Sequence, residues 1–146
     1  MIEVDGNSLD FTSNGNGLYA IVIKRGITKI YASYFKVGVL NAKNFQSRFA
    51  DMDIFITKEY GTGGEILVLL TIGTSHEKHV VEEMKDGFVN LEYKEVAVIL
   101  KKYGMKKFLT MAHGCRQPYI LIRDLISSST LSERTGICGG LLFAKI

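Results

Sequence analysis

The chain has 146 residues, 47% of them hydrophobic and 23% charged, with 15 glycines and one proline. That length fits one domain of ordinary size, expected to span residues 1–146, and the apolar content excludes a disordered or collagen-like chain. The formal charge is only +3 but unevenly held: residues 1–73 carry seven Lys/Arg and seven Asp/Glu, residues 74–146 eleven and eight.

In chain order, the first half reads as strands. The opening Met1–Gly6 is acidic and polar where a secretory leader would be basic and then apolar. Ser13-Asn14-Gly15-Asn16-Gly17 is rich in turn formers and reads as a loop. Leu18–Ile23 is β-branched and aromatic, and Lys24-Arg25-Gly26 turns it into the similar run Ile27–Phe35, a hairpin signal. Phe45 and Phe49, four apart, predict a short helix over Ala42–Ala50. A second hairpin is expected from Asp53–Lys58 through Gly61-Thr62-Gly63-Gly64 to Glu65–Ile72. Its second strand barely alternates, which predicts a central strand buried on both faces. The longest unbroken apolar run, Ile66–Leu70, is far short of the ~20 residues of a membrane helix.

The second half changes period. Thr74-Ser75 ahead of His76–Lys85, with Gly87 just beyond, carry helix start and stop signals. Tyr93–Tyr103 predicts an amphipathic helix closed by Gly104, with Val96, Ile99, Leu100 and Tyr103 on one face. Lys107–Ala112 reads as a strand. Pro118–Ser127 reads as a helix begun by proline, although Tyr119–Ile122 also suits a strand. Ser127–Thr130 reads as a loop and Leu141–Ala144 as a last strand. The expected fold is α+β or α/β: a mostly antiparallel sheet from the N-terminal half, extended by later strands and covered by three to four helices.

Chemistry is concentrated at two joints. The first is Gly73-Thr74-Ser75, where a buried strand meets a helix whose free N–H groups favour an anion. The second is His113-Gly114-Cys115-Arg116, which gathers an imidazole, a thiol and a guanidinium around a glycine. Were both at the carboxyl ends of neighbouring strands, they would flank the crevice where open α/β sheets bind ligands. Cys115 is the candidate nucleophile, since His113 and Arg116 both favour its thiolate. A buried structural role suits it as well. Cys115 and Cys138 form no disulfide framework or CxxC spacing and are expected as free or buried thiols in a reducing compartment. His76, His79 and Glu83 share a helical stripe, but His-Glu-x-His is one residue short of HExxH, so no metal site or cofactor is expected.

These residues support two classes of function. One is a small soluble binding or regulatory module that captures a phosphate-bearing, nucleotide-like ligand on Gly73, Thr74, Ser75 and Gly114, with His113 and Arg116 alongside. The other is a small hydrolase or transferase acting on a phosphorylated or nucleotide substrate. There Cys115 would be the nucleophile, His113 the acid/base and Arg116 the anion clamp. The binder is preferred, because no acid lies within eight residues of Cys115 to orient His113. A weaker third reading is nucleic-acid binding by the acid-free segment Lys101–Arg123, whose cations are Lys101, Lys102, Lys106, Lys107, Arg116 and Arg123. Its aromatics Tyr103 and Phe108 are assigned to the core, where no base can stack on them. A cytoplasmic setting, no membrane partner and a homodimer formed at exposed strand edges complete the expectations.

Overall fold

A computed structural model describes residues 2–4, 7–9, 17–24, 29–35, 42–72, 94–108, 117–140 and 142. Its elements are β1 (Ile2–Val4), β2 (Asn7–Leu9), β3 (Gly17–Lys24), β4 (Lys29–Phe35), α1 (Ala42–Gly61), β5 (Ile66–Ile72), α2 (Lys94–Lys102), β6 (Tyr119–Asp124) and β7 (Ser129–Thr135). β1 and β2 form a separate antiparallel pair. The main sheet has the order β4-β3-β5-β6-β7, and every neighbouring pair in it is antiparallel. The fold is α+β.

Apolar residues at successive positions in the inner strands make this sheet dry on both faces. Leu18, Ala20 and Val22 of β3, Leu67 and Leu69 of β5, and Tyr119 and Leu121 of β6 point toward the helices. Ile21, Val68 and Ile122 alternate with them on the other face, where Leu142 packs at the margin. β5 lies between β3 and β6, so the expected central strand is present. At about 1.5–3 kcal/mol for each large apolar side chain removed from water, these positions are a principal source of stability.

The helical layer corrects the second expected hairpin. Residues 53–58 continue α1 rather than forming a strand. Phe49, Met52 and Ile56 recur at helical spacing and are fully buried, whereas Ile54, which a strand would have used, is 67% exposed. α1 ends in a Schellman motif: Gly64 N–H donates to Glu59 O at 2.9 Å and Gly63 N–H to Tyr60 O at 3.1 Å. Gly63 supplies the positive φ, 104°. α2 ends the same way, with Met105 N–H donating to Leu100 O at 2.8 Å, Gly104 N–H to Lys101 O at 3.2 Å, and Gly104 at φ 70°. Leu100 and Met105 are both buried, giving this motif its usual apolar clasp.

Three further expectations change. Residues 119–124 form β6 and not a helix, because both faces of this run find apolar partners at period two. β7 begins within the expected Ser127–Thr130 loop, and the turn ahead of it is held by Asp124 Oδ1, which accepts from Ile126 N–H at 2.9 Å and Ser127 N–H at 3.1 Å. Two helices, rather than three or four, stand among the described residues. The expected helix over His76–Lys85 and most of the strands over Lys107–Ala112 and Leu141–Ala144 lie outside them. Lys107 and Phe108, which are described, are not in a strand.

One charged pair is sealed into this frame. Lys24, the last residue of β3, places Nζ 2.9 Å from Glu59 Oε2, with side-chain exposures of 5% and 12%. The contact at Oε2 is an ion pair rather than an aligned hydrogen bond. Lys24 Nζ also donates to Thr62 Oγ1 at the end of α1. Lys24→Met should therefore lower unfolding free energy by about 3–5 kcal/mol in chemical denaturation, and adding Glu59→Leu should restore most of it. A Cβ on Gly64 would meet Val22 Cγ1 at 2.4 Å and Glu59 O at 2.8 Å, whereas one on Gly61 meets nothing within 4 Å. Gly64→Ala should cost about 1–3 kcal/mol, and Gly61→Ala should leave stability unchanged or raise it by up to about 1 kcal/mol.

Candidate functional site

Gly73, Thr74, Ser75, His113, Gly114, Cys115 and Arg116 lie outside the described residues, as do His76, His79 and Glu83. The residues that flank the two joints are described. Ile72 ends β5 and Gln117 precedes β6 at the same end of one ladder. Tyr119 N–H donates to Thr71 Oγ1 at 3.0 Å, and Thr71 Oγ1 donates to Gln117 O at 3.5 Å. The expected crevice at the carboxyl ends of neighbouring strands is corrected, since His113–Arg116 precedes a strand antiparallel to β5. Cys138, expected as a thiol, is disulfide-bonded.

At the opposite end of the β5–β6 ladder, about 13 Å away along the strands, the described residues form a groove of about 220 Å³. Thr57 and Tyr60 of α1, Lys102 of α2, and Arg123, Leu125 and Ser128 of the β6–β7 hairpin line it. Ile56 and Tyr103 form its floor and join it to the core. The helical repeat of α1 puts Ile56 inward and Thr57 and Tyr60 at the rim, and Tyr60 is 49% exposed.

Each cation is anchored. Lys102 Nζ lies 2.8 Å from Asp53 Oδ1 and 5.4 Å from the centroid of the Tyr103 ring. With half of its side chain in solvent, this pair adds at most about 1 kcal/mol to stability but holds the ammonium at the groove. Arg123 Nη1 donates to Thr130 Oγ1 at 3.1 Å and Nη2 to Ser128 O at 2.8 Å. Those two bonds leave other guanidinium N–H groups to meet a ligand. Gly104 permits the approach of α2 to this hairpin: an added Cβ would stand 2.7 Å from Thr130 Oγ1 and 2.8 Å from Arg123 Nη1. Lys102 and Arg123 set against Asp53 leave the site with one net positive charge.

The remaining basic segment is less available for nucleic acid. Lys101 and Lys106 are exposed, but Lys107 Nζ donates to Glu133 O at 3.3 Å. Tyr103, Phe108 and Tyr119 are all buried. Phe108 meets Phe49 and Tyr119 edge-on, at centroid distances of 5.9 and 5.6 Å, so these rings offer no stacking platform. Among the described residues, no group of three or more His, Cys, Asp or Glu could hold a metal ion. No helix among them is long and apolar enough to cross a membrane.

Sequence reasoning singled out Lys102 and Arg123 as members of a basic run but missed Asp53, Thr57 and Tyr60. The signal was present in Phe45, Phe49, Met52 and Ile56, whose spacing of four, three and four carries the helix to the groove.

Both buried tyrosines donate to carboxylates, Tyr103 to Asp53 and Tyr119 to Glu133 Oε2 at 2.7 Å. Burial first, and the neighbouring carboxylate second, push both phenols well above their ordinary range; Thr57 and Arg123 partly oppose this at Tyr103. The folded chain thus keeps protons that unfolded tyrosine releases near pH 10. This stabilisation is complete below about pH 10 and is lost as pH rises further. Urea midpoints should fall from about pH 10 upward, and Tyr103→Phe and Tyr119→Phe should each flatten that decline.

Comparison of the chain with protein-family models, curated proteins and solved structures returns no match.

Proposed function

We propose that the chain is a small non-catalytic binding module for a phosphate-bearing ligand, with the groove between α1, α2 and the β6–β7 hairpin as the site that takes the anion. The observation that carries this reading is the convergence of Lys102 and Arg123, from separate elements, on one groove with the exposed ring of Tyr60 at its rim. Charge-assisted hydrogen bonds from ammonium and guanidinium suit phosphate oxygens. An exposed ring beside them suits the planar part of a nucleotide-like molecule.

The groove's size sharpens the reading. At about 220 Å³ it is smaller than the roughly 300–1,000 Å³ pockets that enclose whole ligands. It therefore fits one anionic group, with the rest of the molecule lying across the surface. The lining favours binding over catalysis: the Tyr103 hydroxyl is committed to Asp53, and no thiol or imidazole lines the groove. The enzymatic alternative depends on Cys115 and His113, and no described contact supports it. As for a homodimer, β7 is an edge strand whose register shifts beside Arg123, a bulge that discourages edge-to-edge pairing.

Inorganic phosphate and a nucleoside monophosphate should each raise the thermal midpoint in a dose-dependent way, less so as salt is added. Lys102→Met and Arg123→Met should each weaken apparent affinity about tenfold or more, the scale of a lost charge-assisted bond. An unmoved midpoint with the wild-type chain, or unchanged affinity in both variants, would reject the groove as an anion site.

A further inference from the structure

We infer that the open end of the β6–β7 hairpin is clasped by a disulfide between Cys138 and Cys115, and that this clasp is a reversible, thiol-exchangeable element of the fold. Cys138 is disulfide-bonded, and the sequence holds one other cysteine, Cys115. The hairpin leads independently to the same pair. Its ladder reaches Tyr119 opposite Thr135. One step further out, Gly136 N–H donates to Pro118 O at 3.0 Å, and Gln117 Nε2 donates to Gly136 O at 2.9 Å. Counting outward, Cys138 is two residues after Gly136 and Cys115 three before Pro118. Nearly matched positions just beyond the last rung of an antiparallel pair are within the reach that a disulfide requires.

The surroundings of Cys138 favour exchange. The residue is exposed, in a turn closed by Gly140 N–H donating to Ile137 O at 2.8 Å. Gly139, at φ 74°, supplies the positive φ that a type II turn needs at its third position. An exposed disulfide is open to attack by a small thiol. The first thiolate attacks one protein sulfur, forming a mixed disulfide and releasing the other sulfur as a thiolate, which takes up a proton. A second thiol then displaces the first, leaving Cys115 and Cys138 as thiols and the two small thiols joined as their disulfide. Two electrons thus pass from the small thiols to the protein. A reducing cytosol would hold such a clasp open and an oxidising compartment would hold it closed.

The clasp has structural weight because it closes a loop of more than twenty residues and so restricts the unfolded chain. It lies at the far end of the hairpin from Arg123, and it stands whether or not the groove binds an anion.

The test uses the full chain equilibrated with excess oxidised glutathione, denatured, alkylated with iodoacetamide and weighed intact. We expect neither cysteine to be alkylated, and a peptide map that joins Cys115 to Cys138. Prior dithiothreitol should expose both thiols and lower the thermal midpoint by on the order of 10 °C. Cys138→Ser and Cys115→Ser should each share that lowered midpoint and no longer respond to dithiothreitol. Glutathione adducts on both cysteines, a disulfide-linked dimer, or a wild-type midpoint indifferent to dithiothreitol would each overturn the inference.

Discussion

The architecture hangs on an ion pair taken out of water where a strand and a helix end together. Lys24 closes β3 and Glu59 belongs to the last turn of α1, so their contact ties the end of one layer to the end of the other. Neither charge would be tolerated alone at that depth. Lys24 also brings a cation to the helix terminus where carbonyl dipoles accumulate, and Thr62 shares its proton-donating capacity. The backbone leaves through the Gly63–Gly64 motif directly into β5, and Glu65 N–H donates to Ile23 O at 2.9 Å beside the pair. The charged contact, the helix cap and the start of the central strand are therefore one connected unit.

That unit sets the wall of the groove. With the end of α1 held against β3, Ile56 is committed to the core, and Thr57 and Tyr60 stay at the surface facing α2 and the hairpin. Gly104 performs the matching task on the other side, because its missing side chain lets Arg123 and Thr130 come up against the end of α2. The two glycine-bearing caps thus bring the basic groups of distant segments to one place. Glu133 has the comparable role for the core face: it accepts from Tyr119 and from the Lys107 backbone, pinning the segment after α2 to β7.

How much was legible in the sequence differs from element to element for physical reasons. β3, β5 and α2 were readable because their patterns are unambiguous: two runs too apolar for a solvated face, and one amphipathic stripe ended by glycine. α1 was cut short because Ile54, Phe55 and Ile56 are consecutive apolar residues that satisfy a strand as well as a helix. Only the burial of Phe49, Met52 and Ile56 with Ile54 left in water separates the two. β6 had the reverse problem, since proline at its start mimics a helix opening while Tyr119–Ile122 alternates between two dry faces.

The sequence by itself determined a composition able to fill a packed core, an antiparallel sheet founded in the first half, an apolar central strand and a basic run near the end of α2. These depend on local patterns of side-chain size, polarity and turn chemistry, which act over a few residues. Tertiary structure alone decided which cations share a groove, that Lys24 neutralises Glu59, and that Cys138 is not a thiol. Each of these joins segments distant in the chain. Sheet order and helix placement set those distances, and no local periodicity encodes them.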